Sequence, residues 1–205
     1  MKLYYATNTV AVAAAVALNE AGLAHELIKI DAANGEQTKS TYLGINSKGR
    51  VPALAVGDAI LTETGAILDY IASQSSTASL SPKDPLDHAR MQSVMFYLAS
   101  TMHVAHAHKM RGSRWADQDT SFADMAAKVP QTMTACATYV ETECLTGPFI
   151  SGDTVTIGDC YLYAVCSWLA GDGVDMTKQP KINAFLSAME ARDSVKTARK
   201  AGVIA

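Results

Sequence analysis

The residues best suited to chemistry lie in one stretch, Asn46 to Leu68. Asn46-Ser47-Lys48-Gly49-Arg50 is a polar, glycine-containing turn, where special backbone angles cost little. Val51 to Val56 is a short apolar strand with proline at its second position. Proline cannot donate to a sheet ladder, so Pro52 belongs at a strand's first turn or on an edge. A cis Val51–Pro52 bond would leave the N–H and C=O of Val51 free to pair with an extended peptide, as an added strand does. Gly57-Asp58 reads as a tight turn into a second strand, Ala59 to Leu61. Thr62-Glu63-Thr64 then opens a helix on which Ile67, Leu68 and Ile71 fall at helical spacing. Its free N–H groups at Thr64 suit a carboxylate, and Glu63 beside them suits an ammonium. The ligand so described has a peptide amide at one end and an α-amino acid head at the other.

With those residues in view, the chain resembles a known family. Val51-Pro52-Ala53-Leu54 followed by Leu61-Thr62-Glu63-Thr64-x-Ala66-Ile67 is similar to the glutathione-site signature of cytosolic glutathione S-transferases, and closest to the bacterial, Beta-like members. The resemblance implies that glutathione is the co-substrate. Val51, before Pro52, would pair with its cysteinyl backbone, and Glu63 with Thr64 would bind its γ-glutamyl head. It further implies a small electrophilic substrate and a homodimer.

The rest of the chain must position that site. Lys2 to Ala6 is a short strand, and Thr7-Asn8-Thr9 is a polar corner. Val10 to Ala21 is a helix with almost no polar face before Asn19, so it is expected to be packed on most sides. Thr9 or Asn8 is its N-cap and Gly22 its stop. Glu26 to Asp31 alternates as a strand, and a short helix is expected around Thr41 to Leu43. The resulting order, β-α-β-α-β-β-α, is the thioredoxin-like arrangement and fills residues 1–75. Residues 76–84 lack periodicity, are rich in turn formers and read as a linker. Residues 85–205 read as an all-helical domain. Asp84-Pro85 caps and starts its first helix, and Met91, Val94, Met95, Leu98 and Met102 form a core or dimer-facing stripe. A second helix is expected from Ser121 to Cys144, bent at Pro130. Thr156 and Asp159 make a capping box before the apolar run Tyr161 to Leu169, with Val155 and Cys160 as its staple. The same box opens the central C-terminal helix of the glutathione S-transferases. Pro180 starts a further helix and Gly202 ends the last.

Composition narrows the function classes. Apolar residues make up 49% and charged ones 18%, a globular composition. A net charge of −3 without a long basic run gives nothing to attract nucleic acid or anionic lipid. The longest apolar stretch, Val10 to Leu18, is about half the ~20 residues a membrane span needs, and the N-terminus enters a strand directly without a signal-peptide core. The four cysteines form no Cys-x-x-Cys pair, and reduced, buried thiols fit the cytoplasm.

Glutathione transfer requires the bound thiol as thiolate, and a free thiol near pKa 8.5 is mostly protonated at neutral pH. In the family the stabilising donor lies just after the first strand or at the start of the first helix. The bacterial class carries a cysteine there, and this chain has Val10, followed by Ala11. Valine offers no nucleophile, so mixed-disulfide chemistry is not expected. The polar groups that remain are Tyr5, Thr7, Asn8 and Thr9. Thr9 and Asn8 are the first candidates, with helix capping as their alternative role; Tyr5 is the third, since a strand aromatic usually joins the core. His103 and His106 share a helix face at i and i+3 and are expected to line the acceptor cleft, a solvated face being the alternative. No third ligand or His-Glu-x-x-His pattern accompanies them, so no metal is expected. The expected activity is a glutathione S-transferase-like attack of the activated thiol on a small electrophile. A non-catalytic glutathione-binding module or a glutathione-dependent oxidoreductase on the same fold are the alternatives.

Overall fold

The computed structural model describes residues 1–76 and 78–205; Thr77, inside the expected linker, lies outside the described residues. β1 (Lys2–Tyr5) turns Leu3 and Tyr5 into the core. It runs parallel to β2 (Glu26–Lys29) and antiparallel to β3 (Ala53–Val56), placing Leu3 between Leu27 and Leu54. β4 (Ala59–Thr62) completes a hairpin with β3, and the strand order is β2-β1-β3-β4. Gly57 adopts φ +57° in the connecting turn, a conformation in which L side chains are strained. With α1 (Ala11–Glu20), α2 (Ser40–Leu43) and α3 (Thr64–Gln74), this is a thioredoxin-like domain.

Every residue from Ala11 to Leu18 is buried. The reason lies outside the helix. α1 packs against α3 of its own domain and also against α7 (Ile157–Cys166) and α9 (Asp193–Lys200) of the helical domain. A helix clasped on several sides has no use for a polar stripe. Polar residues return only at its end, where Glu20 accepts from Arg192 Nη2 at 2.8 Å and from the Ser194 hydroxyl at 2.5 Å.

The helical domain starts with α4 (Pro85–Tyr97), whose N-cap Asp84 accepts from the Leu86 and Asp87 N–H groups at 2.9 and 3.0 Å. α4 continues through a π-helical turn, Leu98–Met102, into α5 (His103–Ala107). Of the expected apolar stripe, Met91, Met95, Leu98 and Met102 are buried. α6 (Asp119–Tyr139) contains Pro130 and ends in a second π-helical turn, Val140–Cys144. α7 is buried throughout and opens on the Thr156–Asp159 capping box. Asp159 Oδ2 accepts from the Thr156 N–H (2.8 Å) and hydroxyl (2.7 Å), and Oδ1 accepts from the Ile150 N–H (2.8 Å). α8 (Pro180–Glu190) and α9 follow, and Gly202 lies just beyond at φ +76°. Among the described residues, no helix is long and apolar enough to cross a membrane.

Candidate active site

A cleft of about 570 Å³ opens between the sheet domain and the helical domain. Its sheet-domain wall is built on the Arg50–Pro52 turn. The Arg50 carbonyl accepts from the Tyr42 hydroxyl and from Asn46 Nδ2, each at 2.7 Å. Asn46 Oδ1 in turn accepts the Lys48 N–H at 3.1 Å. Tyr42 and Asn46 are both buried, so this turn is held from inside the protein. The Val51–Pro52 bond is cis. The N–H and C=O of Val51 make no hydrogen bond with any described residue, and Val51 lines the cleft.

Beside Val51 lies the start of α3. Its N-cap, Glu63, has φ +70° and ψ 121°, a conformation costing on the order of 1–3 kcal/mol for a non-glycine residue. Lys48 Nζ donates to Glu63 Oε1 at 2.6 Å and to Thr62 Oγ1 at 2.7 Å. The first N–H groups of α3, from Thr64 onward, have no acceptor in their own helix. Tyr161 of α7 also lines this wall. Burial pushes its phenol up to about 12, with a hydrogen bond to Thr64 acting in the other direction.

Where a thiol would face α1, the wall is Val10. Val10 takes helical angles, φ −58° and ψ −13°, directly before α1, and its N–H has no partner among the described residues. The three side chains expected to supply a donor here are placed otherwise. The Thr9 hydroxyl donates to the Ala6 carbonyl at 2.7 Å and accepts the Ala11 N–H at 3.4 Å, so it acts as a cap with its proton spent. Asn8 points to a second cavity of about 450 Å³, where its Oδ1 accepts the Ala205 N–H at 2.9 Å. Tyr5 is buried in the core. None of the three lines the cleft.

The two histidines also separate. His103 lines the cleft, whereas His106 lines the second cavity. Trp168 stands next to both, its ring centroid 5.1 Å from His103 and stacked 4.2 Å from His106. His106 is held there by Asp172, whose Oδ2 is 2.6 Å from Nδ1. Asp172 is buried and also bonds Lys109 at 3.2 Å; Lys109 donates as well to the Gly171 carbonyl. Helical spacing put both imidazoles on one face, and a buried carboxylate 66 residues away assigned them to different cavities. Burial, then the positive surroundings from His106, Arg114 and Arg50, lower the His103 pKa to about 4, so it is neutral at pH 7. Among the described residues no group of three or more metal-ligating side chains comes together.

Arg50, Arg114 and Trp115 also line the cleft, although the sequence marked them only as members of a polar turn and of a basic cluster. Their spacing in the chain carries no sign that they meet. Asn46 had one local signal, its position four residues before Arg50 in a turn that must be held from beneath.

Fold and cleft together define a protein in which a thioredoxin-like sheet domain and an all-helical domain line one cleft. Residues 1–73 match the N-terminal domain of glutathione S-transferases and residues 106–201 their C-terminal domain. A glutathione transferase homologue from Sulfitobacter, solved with bound glutathione, is 54% identical with a TM-score of 0.97, over 98% of each chain. The Beta-class glutathione S-transferase of Sphingomonas chungbukensis is 30% identical with a TM-score of 0.84, again over 98% of each. Glutathione S-transferase GstA of Escherichia coli O157:H7 is 26% identical over 98% of each chain. This chain belongs to the glutathione S-transferase family.

Proposed function

We propose that this protein is a glutathione transferase that activates the thiol of glutathione through the backbone N–H of Val10 at the start of α1, with no side-chain nucleophile. The observation that carries the reading is the pairing of Val51's unbonded N–H and C=O with the adjacent start of α3. An extended tripeptide bonded to Val51 would place its γ-glutamyl carboxylate at Thr64 and its ammonium near Glu63. Its thiol would then lie towards Val10. The glutathione bound in the Sulfitobacter homologue supports the same ligand here.

The chemistry follows from the wall around Val10. A free N–H at the start of a ten-residue helix favours an anion. It would lower the thiol pKa by stabilising the thiolate, with the proton leaving to solvent. The thiolate then bonds to the electrophilic carbon, and the leaving group departs with its electron pair. The enzyme works as a homodimer in the cytoplasm on this reading, and its reduced, buried cysteines are compatible with that compartment.

Ultraviolet titration of bound glutathione, together with turnover of a general aromatic electrophile, tests the proposal. The expected result is a thiol pKa about 1–2 units below that of the free tripeptide, the scale of one good donor. Asn8→Ala should leave that value in place, since Asn8 faces the other cavity. Binding without a pKa shift and without turnover would make the protein a binding module.

A further inference from the structure

Arg50 and Arg114 enter the cleft from opposite domains. Arg50 stands in the turn before Pro52, and Arg114 ends the single 3-10 turn Gly112–Arg114 that follows α5. Neither guanidinium makes a hydrogen bond or ion pair with any described residue, and the same holds for Arg111 outside the cleft, whereas Arg90, Arg192 and Arg199 each hold a carboxylate. The acidic side chains on the cleft are Glu63 and Asp69, and Glu63 is already engaged by Lys48. The arginines are near enough to affect each other. After burial, the charges of Arg50 and Arg111 lower the Arg114 pKa.

Two like charges converging on one cavity repel, and a bound anion converts that repulsion into attraction. A guanidinium is planar, always charged and matched to a carboxylate through two parallel hydrogen bonds. His103, a neutral imidazole at pH 7, lines the same cleft and brings no negative charge to it. Phe96 (70% exposed) and Trp115 (47% exposed) add aromatic surface to the same cleft. Exposed aromatic rings beside unpaired cations suit a flat, apolar body with an acidic group.

Resting on the transferase reading above, we propose that the acceptor is an anionic electrophile, a small aromatic or conjugated carboxylate held by Arg114 and Arg50 with its apolar body against Phe96 and Trp115. With a chlorodinitrobenzoate, the glutathione thiolate would bond to the ring carbon bearing chlorine. The electron pair passes into the nitro-substituted ring, the C–Cl bond breaks, and chloride leaves. No oxidant or further reactant is needed.

The test compares kcat/KM for a chlorodinitrobenzoate with that for the chlorodinitrobenzene lacking its carboxylate. The wild-type protein is expected to prefer the benzoate, with a preference that shrinks as salt is added. Arg114→Gln should reduce the benzoate-to-benzene ratio about tenfold or more, the scale of a hydrogen bond to a charged group. Arg111→Gln removes the same charge outside the cleft and should leave the ratio within about twofold. Turnover of both compounds with the same ratio in wild type and Arg114→Gln overturns this inference alone. So does calorimetry in which Arg114→Gln weakens glutathione binding by the same factor, because the guanidinium then serves the tripeptide's own carboxylate. Failure of the wild type to turn over either compound removes the transferase reading and this inference with it.

Discussion

The indole N–H of Trp168 donates to the backbone carbonyl of Asn8 at 3.1 Å. Through it, the residue beyond α7 ties the helical domain to the loop that delivers Val10 to the cleft. The loop needs such ties. Asn8 sits at φ +60°, a region that asparagine tolerates better than most residues. The C-terminal segment grips it too, with the Asn8 N–H donating to the Val203 carbonyl at 3.0 Å. Trp168→Phe keeps an aromatic ring at this position and removes the donor together with part of the indole's surface. Denaturant unfolding should show a loss of about 0.5–1.5 kcal/mol. An unchanged midpoint would mean that the C-terminal segment holds the loop unaided.

Glu63 is the second point of test. Its strained backbone and its 2.6 Å pairing with Lys48 hold a carboxylate at the start of α3, beside the unbonded groups of Val51. Glu63→Ala should weaken glutathione binding by roughly 1.5–3 kcal/mol, the scale for a hydrogen bond to a charged group. Isothermal calorimetry reads this directly. Equal affinities in the two proteins would separate Glu63 from the ligand.

Val10 marks the point where a reactive side chain would meet the ligand thiol. Val10→Cys should therefore form a mixed disulfide when oxidised glutathione is added. The introduced thiolate attacks one sulfur of the disulfide, the S–S bond breaks, and one glutathione thiolate departs. The four native cysteines are all buried and should not react. Intact-mass spectrometry should show one glutathione adduct on the variant and none on the wild type. An unmodified variant would place the thiol elsewhere in the cleft.

Acid stability should depend on Glu20. Burial raises its pKa, but the hydrogen bonds from Arg192 and Ser194 and the Arg192 charge outweigh that, leaving it below the ordinary 4.5. A carboxylate with a depressed folded-state pKa adds stability above its unfolded value. That contribution is lost as pH falls through the folded value. Unfolding free energy should thus decline as pH drops below about 4.5, and Glu20→Gln should flatten this part of the decline. Parallel acid branches for wild type and variant would assign the acid sensitivity to other carboxylates.

The sequence by itself determined the features whose causes act over a few residues. The β-α-β-α-β-β-α order follows from apolar periodicity and turn chemistry, and the Thr156–Asp159 box from capping geometry. The burial of α1 was legible too, because a helix with no polar face must be surrounded. Which helices surround it was not. The destinations of individual polar side chains required the tertiary structure. Asn8 belongs to the second cavity because Trp168 and Ala205, 160 and 197 residues away, take its carbonyl and its amide oxygen. His106 leaves the cleft because buried Asp172 binds it, and His103 stays there as a neutral ring. Arg50 and Arg114, 64 residues apart in the chain, line one cleft only because the two domains meet there. Local sequence specifies which hydrogen bonds a side chain can make. The choice among partners is made by long-range packing, which alone sets the distances between residues far apart in the chain.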